Sequence, residues 1–111
     1  MSMAAAPSSP ADGAGPRPDE VIHQSVRLKI MSALAAPSTD EPLDFGRLKA
    51  IAGATDGNLG AHLTTLEGAG YVRILKDFVG KKPRTRAELT PQGRAAFRDH
   101  VAYLKAVLEG H

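Results

Sequence analysis

The stretch that decides the fold is TDGNLGAHLTTLEGAGYVRILKDFVGKKPRTRAELTPQGR, from Thr55 to Arg94. Its opening part predicts a helix, because leucines recur at i, i+4 and i+7 from Leu59. Thr55 is a side chain that commonly caps helix N-termini. Either Gly68 or Gly70 supplies the left-handed residue that ends such a helix.

A hairpin follows this helix in the same stretch. Tyr71 to Phe78 is rich in aromatic and branched residues and predicts a strand, and Gly80 to Pro83 predicts its turn. Residues 84–89 alternate charged side chains with small or apolar ones, which is typical of a half-buried return strand. Thr90 and Pro91 then predict the start of a last helix, with Thr as the N-cap and Pro in the first turn.

Upstream, the pattern predicts a first helix from Asp19 to about Ala36 with Asp19 as its N-cap. Pro37 ends it, because proline disrupts a helix interior. Ser38 to Pro42 is predicted as a loop, with room for a short strand near Leu43.

A second, short helix is predicted after that loop. Asp44 is its N-cap and Gly53 its stop. Only Ala54 separates Gly53 from the cap of the next helix at Thr55, and this spacing is typical of a helix-turn-helix.

Composition narrows the class of protein. The 111 residues, 42% hydrophobic, suit one domain with a modest core, predicted over residues 19–111 behind a disordered tail, 1–18. There is no cysteine, no apolar run long enough to cross a bilayer and no signal-peptide pattern, so a cytoplasmic protein without membrane contact is expected. No nucleophile set or phosphate-binding glycine loop appears, so neither enzymatic activity nor a cofactor is expected.

Charge is distributed unevenly along the chain. The whole sequence carries a formal +2. Residues 71–86 hold six cations and one carboxylate, a formal +5, so the remainder carries −3. A local cationic patch on a nearly neutral protein indicates a directed electrostatic contact with an anionic partner, although a solvated charged turn would show the same pattern.

The last helix, predicted over residues 90–109, carries two adjoining rows of apolar and aromatic side chains. One row suffices to pack on the domain, so the second predicts a homodimer interface, and the alternative is a wider core within one chain. The predicted interface consists of Phe97, His100, Val101, Tyr103, Leu104, Val107 and Leu108.

Together these residues resemble the stand-alone winged-helix regulators related to the ArsR and MarR families. The resemblance covers residues 20–108. The motifs that carry it are Val26-Arg27-Leu28, Asp44-Phe45, Gly57-Asn58-Leu59, His62-Leu63, Leu66-Glu67, Gly70-Tyr71-Val72, the turn from Gly80 to Thr85, Leu89-Thr90 and Gly93-Arg94.

The resemblance implies an α+β, mostly helical fold: a winged helix-turn-helix with three N-terminal helices, a two-stranded β-wing and a C-terminal dimerisation helix. It also implies a homodimeric prokaryotic transcriptional regulator that binds double-stranded DNA. The third helix would enter the major groove, and the wing would lie along the backbone or minor groove. The third-helix positions are Asn58, Ala61, His62 and Thr65, and the wing positions are Lys81, Lys82, Arg84 and Arg86.

Two departures and two alternatives qualify this expectation. The chain lacks the cysteine ligands of metal-sensing ArsR relatives and has Gly60 where many relatives carry a hydroxyl residue. The predicted third helix holds two acids and neither Lys nor Arg, so guanine readout is limited and a protein-interaction winged helix is the alternative. A further alternative is a metal site formed across a dimer by His100 with Asp99 and Glu109. Any effector is unknown.

Overall fold

The computed structural model describes residues 17–36 and 41–110. Nearly all of the predicted tail, Pro37 and most of the loop predicted from Ser38 to Pro42 lie outside them. The elements, in chain order, are α1 (Ser25–Ala35), β1 (Leu43–Asp44), α2 (Phe45–Ala52), α3 (Asp56–Gly68), β2 (Val72–Val79), β3 (Lys82–Leu89) and α4 (Pro91–Leu108).

Side-chain caps fix where three of the helices begin. Asp44 Oδ1 accepts the Arg47 N–H at 2.7 Å at the start of α2. The hydroxyl oxygens of Thr55 and Thr90 do the same for α3 and α4, at 3.2 Å and 2.9 Å. All three caps agree with the sequence prediction, because a cap depends on a side chain and the backbone two or three residues ahead.

Two glycines end helices as predicted. Gly53 has φ 63° at the end of α2, and Gly70 has φ 82° just after α3. Beyond Gly70 the Tyr71 N–H donates to the Leu66 carbonyl at 3.0 Å, a bond that closes a left-handed helix end. This stop sets the angle at which the chain leaves α3 and enters the hairpin.

The prediction that the first helix starts at Asp19 is wrong: α1 begins at Ser25. Asp19 Oδ1 does accept two N–H groups, from Val21 at 2.9 Å and Ile22 at 3.1 Å, but it caps only one isolated turn. Gln24 then adopts an extended conformation with ψ 133°, and its side chain accepts the Arg27 N–H at 3.0 Å. The chain therefore has two successive caps, and the second starts the helix.

The three strands form an antiparallel sheet in the order β1-β3-β2. The short strand expected near Leu43 is present, and Leu43 pairs with Ala87 of β3. Val72 pairs with Leu89 at the base of the β2–β3 hairpin, where Val72 is buried, whereas the far end of the hairpin is exposed. The hairpin therefore projects from the core as a wing.

The core lies between the helices and the base of the sheet. Its members are buried apolar side chains from α1, α2, α3, both hairpin strands and the turn before α1. They are Ile22, Ile30, Met31, Leu34, Leu48, Ala52, Leu59, Leu63, Leu66, Val72 and Ala87. Because the three leucines of α3 are all buried, the opposite face of that helix is presented to solvent.

Candidate nucleic-acid interface

The outer face of α3 carries the side chains predicted to read DNA. Asn58, Ala61 and Thr65 are exposed and His62 is half-buried, and helical spacing places all four on one face. Asp56, in the first turn of α3, is paired with Lys49 of α2 at 2.7 Å. That pair bridges the two helices of the helix-turn-helix, and the carboxylate also lies at the N-terminus of α3, where the helix dipole favours a negative charge.

His62 has a partner that sequence reasoning missed. The Arg27 guanidinium of α1 lies 3.1 Å from His62 Nδ1. Burial first, and then the nearby Arg27 charge, lower the pKa of His62. Because a guanidinium only donates hydrogen bonds, Nδ1 must accept and Nε2 must carry the hydrogen. No short-range sequence pattern could reveal a contact between residues 35 positions apart.

The exposed threonines of α3 bond back to their own helix. Thr65 Oγ1 donates to the Ala61 carbonyl at 3.1 Å, and Thr64 Oγ1 donates to Gly60 at 3.0 Å. Such a bond uses the hydroxyl hydrogen and leaves the oxygen lone pairs free to accept. Thr65 is therefore set to accept a hydrogen bond from outside the protein.

The wing carries a carboxylate that redistributes its positive charge. Asp77 of β2 accepts two bonds from Arg84 of β3, at 2.8 Å and 2.6 Å, and one from Arg86 at 3.3 Å. The Arg84 guanidinium, ahead of Arg86, lowers the pKa of Asp77, so this carboxylate is charged at neutral pH. Two of the four predicted wing cations are thus neutralised in part by one acid.

The remaining predicted wing cations are at the tip. Lys81 and Lys82 are exposed and form no ion pair with any described residue. Lys76 of β2 is exposed and likewise unpaired within residues 17–36 and 41–110. At the base of the hairpin Arg73 pairs with Glu88 at 3.1 Å. The free positive charge is therefore concentrated toward the end of the wing.

The predicted dimer residues fall into two sets. One row of α4 lines an open, largely apolar groove of about 670 Å³ with residues of α1, β1 and α2. The α4 residues in this groove are Phe97, Val101 and Leu104. At the end of the helix Val107 and Leu108 are 52% and 85% exposed. These side chains remain available to a second molecule.

His100 differs from the rest of the predicted interface, because it is only 1% exposed. Its Nδ1 accepts the Asp19 N–H at 3.0 Å, and its ring packs against those of His23 and Tyr103, with centroids 5.5 Å and 5.7 Å away. His100 is therefore covered within the protomer, and its place in a dimer interface stays a prediction. It is covered because the turn before α1 folds across α4, and sequence spacing on α4 alone cannot show that turn.

The same turn is tied to the start of the hairpin. Tyr71 donates its hydroxyl hydrogen to Asp19 Oδ2 at 2.6 Å, and this bond, ahead of burial, raises the pKa of Tyr71 to about 12. Across residues 17–36 and 41–110 no three His, Cys, Asp or Glu side chains are placed to share a metal ion. None of the helices described is long and apolar enough to cross a membrane.

A helix-turn-helix followed by a projecting cationic hairpin defines a winged-helix protein. Residues 26–108 match the winged helix DNA-binding domain family, and the chain belongs to that family. It is 33% identical to the uncharacterized protein MJ0432 of Methanocaldococcus jannaschii over 82 residues, which cover 74% of this chain and 86% of that protein.

Solved structures show the same architecture. A transcriptional regulator homologue from Pyrococcus horikoshii OT3 superposes with a TM-score of 0.71 at 31% identity, covering 82% of this chain and 87% of that one. A MarR-family protein from Porphyromonas gingivalis W83, a putative transcriptional regulator by its name, shares the fold with a TM-score of 0.64 at 20% identity over 83% of this chain and 86% of its own. The expected resemblance is confirmed: this is the fold of transcriptional regulators rather than of enzymes.

Proposed function

We propose that the protein is a dimeric, sequence-specific DNA-binding transcriptional regulator of the prokaryotic type, acting in the cytoplasm. The observation that carries the proposal is the exposed polar face of α3 beside a hairpin whose unpaired cations lie at its free end. A helix fits the major groove, which is about 12 Å wide, while a basic hairpin beside it neutralises phosphates.

Base readout falls to few groups. Asn58 can pair with an adenine edge, and the Nε2–H of His62 can donate to a purine N7 or a thymine O4. Thr65 can accept from an exocyclic amine, and Ala61 can contact a thymine methyl. Because α3 itself has no Arg or Lys, a bidentate guanine contact from this helix is absent and discrimination between sites is modest.

The cations of the wing supply affinity more than selectivity. Each phosphate neutralised by Lys81 or Lys82 adds about −0.9 to the slope of log affinity against log salt. Arg84 and Arg86 contribute less than their formal charges, since both are bonded to Asp77.

Dimerisation accounts for the open groove beside α4. A second copy of α4 could cover Phe97, Val101 and Leu104 and the exposed Val107 and Leu108. Two copies related by a two-fold axis would place their α3 helices in successive major grooves of a pseudo-palindromic site, about 34–36 Å apart.

The test is binding to genomic duplex fragments as a function of KCl. The Lys81→Ala/Lys82→Ala protein should bind more weakly at low salt and show a slope shallower by about 1.8, since up to two phosphate contacts are lost. Arg98→Ala/Lys105→Ala removes the same charge from exposed positions of α4 and should retain the wild-type slope. Wild-type binding that is insensitive to salt would contradict the proposal.

The alternative is a winged helix that binds another protein, favoured by the absence of cations on α3 and by exposed apolar side chains on the wing. Size-exclusion chromatography with and without duplex DNA separates the two functions. A monomer whose elution does not change with DNA supports the alternative.

A further inference from the structure

The wing tip carries an aromatic side chain that is not part of the core and takes no part in the cationic contacts. Phe78 is 69% exposed, although burial of an aromatic ring is among the larger favourable terms available to a small domain. Its neighbour Val79 is 57% exposed. A contiguous exposed apolar patch marks an interaction site, whereas a single exposed apolar side chain needs no explanation, so the neighbours of the Phe78 ring decide its role.

The register places the ring on a defined face of the hairpin. Phe78 pairs with Pro83 across the two strands, so both side chains lie on one face. Every second residue of each strand lies on this face, which includes the buried Val72 and Ala87 at the hairpin base. Val79, one position further along, lies on the opposite face together with its partner Lys82.

The charges around this apolar pair specify an anionic partner. Lys76 lies on the same face of the hairpin as Phe78. Lys81 lies in the turn after β2, and Lys82 is the first residue of β3. None of the three is paired with a described acid. An apolar protein surface would leave these ammonium groups without partners, whereas a nucleic-acid groove offers apolar base and sugar surface between rows of phosphates.

The dimensions fit the minor groove beside α3. Eight residues give each wing strand a length of about 26 Å. From a helix in the major groove, the neighbouring minor groove is about half a helical turn away, or roughly 17 Å. That groove is about 6 Å wide, too narrow for a hairpin but open to a single side chain.

We propose that Phe78 is an apolar wedge that enters the DNA minor groove and contacts a base step there, with Pro83 supporting it and Lys76, Lys81 and Lys82 bonding the flanking phosphates. The inference rests on the proposed DNA-binding function and adds a shape-dependent contact to it. Apolar wedges partly unstack a base step and favour flexible pyrimidine–purine steps such as TA. The wing then contributes selectivity through deformability, at positions that α3 does not reach.

The first experiment compares Phe78→Ala with Val79→Ala, which removes an exposed apolar side chain from the same tip but the opposite face. The probe is a duplex selected by the wild-type protein from a random pool, with 2-aminopurine scanned through the segment beside each half-site. Phe78→Ala should weaken binding about tenfold or more, by analogy with the loss of a base–aromatic contact, without changing the salt slope. It should also abolish the rise in 2-aminopurine fluorescence that wild type produces at an unstacked step, while Val79→Ala retains both properties.

The second experiment uses the absence of tryptophan from the chain. Phe78→Trp introduces a single tryptophan whose fluorescence should be quenched on DNA binding, and Val79→Trp should be quenched little. Equal affinities for Phe78→Ala and Val79→Ala, with no 2-aminopurine response in wild type, would overturn the wedge while leaving DNA binding intact. A wild-type protein that shows no salt-dependent DNA binding would instead reject the proposed function.

Discussion

Gly93 of α4 packs so tightly on Tyr71 that a Cβ added to it would lie 2.0 Å from the Tyr71 carbonyl oxygen. The neighbouring contacts hold the two segments together. Thr90 donates its N–H to Tyr71 O at 3.1 Å and its hydroxyl hydrogen to Gly70 O at 2.6 Å. The start of α4 is thereby locked to the corner where α3 passes into the wing.

Gly93→Ala should therefore lower the free energy of unfolding by about 3 kcal/mol, because the methyl group meets backbone that cannot rotate away. Urea unfolding followed by circular dichroism measures the change. The matched control is Gly60→Ala within α3, where an added Cβ has nothing within 4 Å. There the free energy of unfolding should rise by up to about 1 kcal/mol, since alanine favours a helix over glycine. Equal effects at the two sites would contradict the packing argument.

Asp77→Asn should make DNA binding more sensitive to salt. The change removes the charge that holds Arg84 and Arg86 on the hairpin, so both guanidinium groups become available to phosphates. The slope of log affinity against log KCl should steepen by about 0.9 for each phosphate gained. Glu88→Gln frees Arg73 at the base of the hairpin and serves as the control, with a smaller expected change. A slope that becomes shallower in Asp77→Asn would show that Asp77 positions the arginines for DNA instead.

His100 should make the fold less stable in mild acid. Burial, and then the neighbouring His23, lower the pKa of His100, while Asp19 opposes the shift. Above the unfolded-state value of 6.5 both states are neutral, and below it the unfolded chain binds a proton that the folded chain excludes. The free energy of unfolding should fall as pH drops below about 6.5, by up to about 1.4 kcal/mol per pH unit until the folded pKa is reached.

Urea titrations at pH 7.5 and 5.5 measure that effect in wild type and in His100→Gln, whose amide oxygen can still accept the Asp19 N–H. The variant should lose most of the pH dependence between these two values. His62→Gln is the variant whose pH dependence of unfolding is compared with that of His100→Gln. The pKa of His62 is also lowered, but its ring is only half-buried on α3. A full wild-type pH dependence in His100→Gln would assign the effect to other groups.

Val107→Asp/Leu108→Asp should yield a monomer if the end of α4 belongs to the dimer interface. Two carboxylates at positions 52% and 85% exposed in the protomer cost its own folding little, but they would be desolvated between two copies. Sedimentation equilibrium reports the mass. Ala102→Asp adds a charge to an exposed position on the opposite side of α4 and should leave the mass unchanged. A wild-type protein that sediments as a monomer would remove the basis for this prediction.

The features that could be predicted from the sequence are those set by interactions between residues close together in the chain. Asp44, Thr55 and Thr90 were predictable caps because each acts on backbone a few residues away. The burial of His100 and the contact between Arg27 and His62 were not, since each joins segments whose approach is set only by the assembled core. The charge count located the cationic hairpin. It could not show how much of the positive charge Asp77 neutralises and how much is left for a partner, because that depends on strand register.

The turn from Asp19 to His23 changes where the cooperative folding unit begins. The family match starts at residue 26, yet Ile22 is fully buried, and Asp19 bonds both Tyr71 and the ring of His100. Excising residues 17–25 would remove the buried Ile22 from the core and take away the hydrogen-bond partners of the His100 ring and the Tyr71 hydroxyl. The smallest autonomous version of this domain is therefore expected to begin before residue 26, where the family match starts.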